Sequence, residues 1–130
     1  MQQNINIGLF GLGVVGQGIV SVMARAKNAH AEIKRICVRD LTKPRDISID
    51  SSILTDNPDE ILLDSDINLI VEVVDNAEAS YRIVTSALRR GIPVVSGNKA
   101  MLARHLPELI VPQRRHHTAL LYHASSCGSI

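Results

Sequence analysis

The stretch Ile5-Asn6-Ile7-Gly8-Leu9-Phe10-Gly11-Leu12-Gly13-Val14-Val15-Gly16 decides the fold. Ile5 to Phe10 is a short apolar run of β type. From Val14 to about Lys27, the apolar residues Val15, Ile19, Val22, Met23 and Ala26 recur at helical spacing. Three glycines spaced G-x-G-x-x-G join the two segments without an intervening loop. That spacing alone is weak, because it often arises by chance. A strand running into it and a helix opening from it make it specific. Gly11 permits a tight turn, Gly13 lets the backbone approach an anion closely, and Gly16 lets helix and strand pack together.

The free N–H groups and positive dipole end of the following helix complete an anion site. The pattern therefore reads as a Rossmann-type dinucleotide-binding unit. The pyrophosphate is expected at the loop formed by Gly11, Leu12, Gly13, Val14, Val15 and Gly16. The alternative is a glycine-rich turn that binds nothing.

Outward from this unit, short apolar runs alternate with helical ones, the signature of parallel βαβ connections. A second strand is expected over Glu32 to Val38, followed by a polar loop from Arg39 to Asp56 with room for a short strand. Asn57-Pro58-Asp59-Glu60 predicts a short helix ending near Asp64, with Asn57 as N-cap, Pro58 at the first position and Glu60 completing a capping box. Asn68 to Val74 is the third clear strand and Ala77 to Arg90 the second long helix, stopped by Gly91. Pro93 to Ser96 is a fourth strand. Two helical segments, Asn98 to Arg104 and Pro107 to His116, lead to a fifth strand at Ala119 to Tyr122. The expected architecture is α/β, a doubly wound and mainly parallel sheet with helices on both faces.

At 130 residues, 45% hydrophobic and 21% charged, the chain has the size and composition of one globular domain. Phe10, Tyr81 and Tyr122 are its aromatic residues, so the core must be aliphatic, as suits strands covered on both faces. Fourteen Lys and Arg residues against thirteen Asp and Glu leave no field to attract nucleic acid or an anionic membrane. Arg89-Arg90 and Arg114-Arg115 fall at expected helix ends, where cations complement the dipole. Two cysteines, Cys37 and Cys127, make no disulfide or metal framework, and a reducing cytoplasm fits them best. The N-terminus lacks the features of a signal peptide, and no apolar run reaches the ~18 residues of a membrane span. The chain stops directly after the fifth strand with half of a dinucleotide fold incomplete, so it is expected to be a piece of a longer polypeptide.

The end of the second strand selects the cofactor. A carboxylate there favours the ribose diol of NAD, and an arginine favours the 2′-phosphate of NADP. Ile36-Cys37-Val38-Arg39-Asp40 puts Arg39 nearest the expected tip, with Lys43 as a second phosphate contact. NADP is favoured; NAD remains the alternative through Asp40, and a basic surface loop is the bland reading. After the fourth strand, Val94-Val95-Ser96-Gly97-Asn98-Lys99 places an amide and a lysine at the ligand-binding edge of an open sheet. Lys99 there suits proton transfer during reduction of a carbonyl. It also suits an ordinary surface position, and Ser96 and Asn98 suit helix capping.

Taken together, these segments resemble homoserine dehydrogenases. The similarity rests on the run from Gly8 to Gly18, on Ile36 to Asp40 with Lys43-Pro44-Arg45, and on Val71-Glu72-Val73-Val74. It rests most specifically on Asn98-Lys99-Ala100 and on Leu121-Tyr122-His123-Ala124-Ser125. The resemblance covers essentially the whole chain. It implies NAD(P)-dependent interconversion of L-aspartate 4-semialdehyde and L-homoserine, with Lys99 as the catalytic lysine and Asn98 and Lys99 beside the cofactor. It also implies a following substrate and dimerisation domain, without which the chain binds cofactor but is inactive. The full-length protein would be a homodimer or homotetramer. His123 stands where the family usually has glutamate, which puts that family's monovalent-cation site in doubt; a structural histidine is the simpler reading. Asp75-Asn76 replaces glycines that many relatives carry.

Two other readings remain. In a cysteine-acylating semialdehyde dehydrogenase Cys127 would be the nucleophile, but the Asn-Lys-Ala block would then have no role. A non-catalytic NAD(P)-sensing module would need the glycine loop but no reactive lysine.

Overall fold

The computed structural model describes residues 4–26 and 30–122. Cys127 and the His123-Ala124-Ser125 block lie outside them. Six strands form one sheet, β1 (Ile5–Phe10), β2 (Ala31–Cys37), β3 (Leu54–Thr55), β4 (Leu69–Glu72), β5 (Val94–Ser96) and β6 (Leu120–Leu121). Their order is β3-β2-β1-β4-β5-β6, and every pairing is parallel. The helices are α1 (Val14–Ala26), α2 (Asp59–Leu62), α3 (Ala77–Arg89) and α4 (Lys99–Arg115). The chain leaves β1 in one direction across the sheet and returns in the other, so the order reverses at β1, the topological switch point of a doubly wound fold.

Strand alternation sorts the apolar residues into two layers. Phe10, Ile70 and Val94 join Val84, Ala87 and Leu88 of α3 and Met101, Leu102 and Leu109 of α4 in one core. Their strand neighbours Leu9, Val71 and Ile36 belong to the other, with Leu12 and Val38 and with Ile19 and Val20 of α1 packed against it. Burying one such side chain stabilises the fold by ~1.5–3 kcal/mol. Of the apolar residues expected on α1, Val15, Val22 and Ala26 stand exposed. Gly16 touches the Gly11 carbonyl so closely that it sets the rotation of α1, and Ile19 and Val20 are turned inward instead.

One further element forms where the sequence left room for it, and two others differ from expectation. The loop from Arg39 to Asp56 carries a sixth strand: after a 3-10 turn at Ser51–Ile53, β3 adds to β2, and Val38 N–H donates to the Thr55 carbonyl at 2.9 Å. The expected capping box at Asn57 does not form. Asn57 Oδ1 accepts from Asp59 N–H at 3.0 Å, but Glu60 turns away to Arg35 at 2.9 Å, and Asn57 N–H is taken by Thr55 Oγ1. Pro58 thus occupies the cap position, and α2 is one short turn. Finally, the two helical segments expected around Pro107 are one helix, α4, running through both Pro107 and Pro112. An interior proline costs ~3 kcal/mol. Burial of Met101, Leu102 and Leu109 against α3 holds both halves of α4 in line and offsets that cost. No helix among the described residues is long and apolar enough to cross a membrane.

Candidate functional site

Because all strands are parallel, four of the segments singled out in the sequence emerge at one edge of the sheet. Gly11 to Gly16 follows β1, Arg39 to Lys43 follows β2, Asp75 and Asn76 follow β4, and Gly97 to Lys99 follows β5. Two shallow clefts, one lined by Asn4, Ile5, Asn68, Leu69 and Pro93 and the other by Leu62, Asp64 and Arg90 with their neighbours, lie away from this edge.

Gly11 and Gly16 carry the structural roles expected of them. Gly11 has φ +101°, which L side chains rarely adopt, and a Cβ there would lie 2.9 Å from the Val73 carbonyl. At Gly16 a Cβ would strike the Gly11 carbonyl oxygen. At Gly13 nothing lies within 4 Å of where a Cβ would be. No packing requirement of the fold therefore accounts for glycine at 13, and the open space beside it adjoins the N-terminus of α1. Leu12 is a core residue, whereas Val14 and Val15 are exposed in the first turn. Gln17, in the first turn of α1, braces the loop. Its Nε2 donates to the Leu12 carbonyl at 3.0 Å, and its Oε1 accepts from Asp46 N–H at 3.1 Å.

After β2 the two competing residues behave differently. Asp40 Oδ1 accepts from both Thr42 N–H (2.9 Å) and Thr42 Oγ1–H (2.7 Å), and these bonds hold its carboxyl below the usual range. Arg45 folds back over the same turn, donating to the carbonyls of Asp40 and Lys43. Arg39 instead projects into the open and meets Asp75 at 3.3 Å. Lys43 is exposed on the same loop.

Between β4 and β5 lies a buried polar network. Glu72 is fully buried. Its Oε1 accepts from Ser80 Oγ–H of α3 at 2.5 Å and from Ser96 Oγ–H of β5 at 2.7 Å, and its Oε2 accepts from Val74 N–H at 2.9 Å. Burial pushes the carboxyl up from its ordinary value despite the pull of these donors. The Val74 carbonyl in turn accepts from Asn98 Nδ2–H at 2.8 Å, while Asn98 Oδ1 caps α4 by accepting from Met101 N–H at 2.8 Å. Asn98 is thus the helix cap, and Lys99 opens the first turn of α4 with its side chain exposed. Glu72 stood in the sequence within Val71-Glu72-Val73-Val74. A charged residue in a strand covered on both faces must be buried and must find partners, and that signal was enough to single it out.

The model of the homoserine dehydrogenase NAD-binding domain matches residues 11–123. A homoserine dehydrogenase of Synechocystis sp. is 31% identical over 131 residues, covering 97% of this chain and 30% of the relative. The chain thus spans less than a third of that protein's length. Among solved structures, a homoserine dehydrogenase of S. aureus superposes with TM-score 0.86 at 34% identity, over 95% of this chain and 34% of that one. A hyperthermophilic archaeal homoserine dehydrogenase in complex with NADPH superposes with TM-score 0.73 at 21% identity, over 95% of this chain and 44% of that one, a likeness of fold alone. From the Gly11–Gly16 turn to the last described strand, the chain belongs to the homoserine dehydrogenase family and corresponds to its NAD(P)-binding domain.

Proposed function

We propose that this chain is the cofactor domain of an enzyme that interconverts L-aspartate 4-semialdehyde and L-homoserine, with NADP preferred over NAD. The observation that carries the reading is the match of a homoserine dehydrogenase domain across the glycine loop and the Asn98–Lys99 turn. The residues present fit a dinucleotide. The open space at Gly13 and the N-terminus of α1 suit a pyrophosphate, and Leu12, Val14 and Val15 carry the loop's backbone around it. Arg39 and Lys43 suit a 2′-phosphate, whereas one oxygen of Asp40, Oδ1, is already taken by its own turn. When bound, the dinucleotide supplies or accepts the hydride exchanged at the carbonyl carbon of the semialdehyde. Lys99, beside the nicotinamide half, assists proton transfer at the carbonyl oxygen, and Asn98 holds the turn that presents it.

The substrate contacts, the remaining catalytic groups and the dimer or tetramer contacts belong to a further domain. The chain alone therefore binds cofactor without turnover. Its compartment is the cytoplasm, where Cys37 stays reduced.

Calorimetric titration of the chain with NADPH and NADH, repeated with Arg39→Ala, tests the cofactor assignment. Tighter NADPH binding that falls to parity in the variant supports it. Preference for NADH in the unaltered chain transfers the ribose to Asp40 and overturns it. In the complete enzyme, Lys99→Ala is expected to keep cofactor binding and lose turnover; full turnover there would favour a sensing module.

A further inference from the structure

Glu72 lies at the one point where three elements of the cofactor edge meet. In the sheet register it is aligned with Phe10 of β1 and Ser96 of β5, on the face that carries α3. Each of its three hydrogen bonds reaches a different segment: Ser80 in α3, Ser96 at the end of β5, and Val74 in the turn that leaves β4. Two of these partners pass the constraint on to the same residue. Ser96 Oγ accepts from Asn98 N–H at 3.3 Å, and the Val74 carbonyl accepts from Asn98 Nδ2–H. Asn98 is thereby held from both its backbone and its side chain, and its side chain starts α4 at Lys99. The adenosine half of a dinucleotide lies on the β2 side of the switch point and the nicotinamide half on the β4–β5 side. The network is confined to the second half.

We propose that Glu72 is a positioning residue whose buried carboxylate ties the ends of β4 and β5 together and so fixes the Asn98–Lys99 turn that receives the nicotinamide half of the cofactor. The assignment of that half rests on the function proposed above; the fixing of the turn does not. A carboxylate suits this place because all three partners donate to it. In Glu72→Gln one oxygen is replaced by an NH2 group, which either faces Val74 N–H donor to donor or faces the serines, whose hydroxyls must then turn round and accept from it. Either arrangement alters a tie to Asn98, through the Val74 peptide whose carbonyl holds its side chain or through Ser96 Oγ, which accepts from its N–H. Ser96→Ala is the milder variant, removing one donor to Glu72 and the acceptor of Asn98 N–H while leaving the carboxylate in place.

Two measurements on the chain, with Glu72→Gln and Ser96→Ala, test this. The first needs no ligand: amide nitrogen and proton shifts are compared with those of the unaltered chain. Displaced signals are expected for Val74, Asn98 and Lys99 and for the Asn98 side-chain amide, with Gly13 and Gly16 in place. Unmoved Asn98 and Lys99 signals would overturn the proposal. The second is titration with NADPH and with 2′-phospho-ADP-ribose, which lacks the nicotinamide half. NADPH binding is expected to weaken roughly tenfold, the scale of one unmade buried hydrogen bond, with the shorter ligand unaffected. Equal weakening of both ligands, or of neither, would overturn the positioning role. If the unaltered chain binds neither ligand, the functional reading fails, and the first measurement alone decides whether Glu72 fixes the turn.

Discussion

Arg39 and Asp75 meet at 3.3 Å although they leave the sheet on strands that are not neighbours. β2 and β4 flank β1 on its two sides, so the pair spans about two strand spacings, roughly 10 Å, past the end of β1. It therefore bridges the end of β1, from which the glycine turn leaves. Both side chains are more than four-fifths exposed, and such a pair contributes only ~0–1 kcal/mol. Arg39 can thus leave Asp75 for a 2′-phosphate at small cost. Asp75→Asn is expected to tighten NADPH binding up to about fivefold at low salt, and NADH binding less. The gain should shrink as salt screens the pair. Equal gains for both cofactors at all salt concentrations would show that Asp75 does not compete for Arg39.

Gly13 and Gly16 separate binding from folding. A Cβ at 16 meets the backbone oxygen of Gly11, which cannot rotate away, whereas a Cβ at 13 meets nothing within 4 Å. Gly16→Ala is expected to destabilise the domain by ~1–3 kcal/mol, visible as a fall of several degrees in Tm. Gly13→Ala should leave Tm nearly unchanged and weaken NADPH binding roughly tenfold or more, because the methyl group would occupy the space of the phosphate. Thermal melting of both variants beside calorimetric titration of Gly13→Ala checks the contrast. A Gly13→Ala domain that binds normally would mean that the phosphates lie elsewhere.

These two glycines also show where the sequence was legible. The β1 strand, its glycine turn and α1 were readable because each residue there answers a local requirement: strand alternation, a positive φ, a close approach. Asn98 as a helix cap belongs to the same class. What was hidden depends on contacts distant in sequence. A short strand had room in the loop after β2, but its position was hidden because β3 is two residues long with a single buried member, Thr55, too short to show a period. Pro107 announced a break that the packing of Leu102 and Leu109 overrides. Glu60 suited a capping box until Arg35, 25 residues away, took its carboxylate. The Glu72 network spans from Val74 to Ser96, and no spacing rule predicts which hydroxyls a buried carboxylate will meet.

Cys37 is expected to resist alkylation in the folded chain. It ends β2, is buried beside Ile61 in the core, and burial pushes its thiol up to about 11, with Asp56 and Glu60 adding to the effect. Relative to an ordinary value of 9.0, that leaves roughly a hundredfold less thiolate at pH 8, before restricted access is counted. Iodoacetamide treatment followed by peptide mapping reports this residue separately from Cys127. Slow labelling that becomes fast in denaturant is the expected result; rapid labelling of Cys37 under native conditions would contradict the buried strand end.

His105 couples the α3–α4 contact to pH. Its ring stacks on Tyr81 with centroids 3.9 Å apart, and its two nitrogens face Glu78 at 3.1 Å and Glu108 at 3.2 Å. Arg104 shares Glu78 at 2.8 Å. The hydrogen bond to Glu78, helped by Glu108, raises the His105 pKa above its ordinary 6.5. The folded protein then keeps this proton at pH values where the unfolded chain has lost it, so the contribution is complete below about 6.5 and is lost as pH rises through the folded value. Glu78 is shifted the other way, chiefly by His105 and then by Arg104, so its contribution is complete above about 4.5 and is lost as pH falls through its lowered value. The pair therefore stabilises the helix contact most between those two limits. Tm is expected to decline from pH 6 to pH 8 in the unaltered chain and to vary less in His105→Gln, which retains hydrogen-bonding capacity but carries no charge. An equal decline in both would assign the pH dependence to other groups and leave His105 as a packing residue alone.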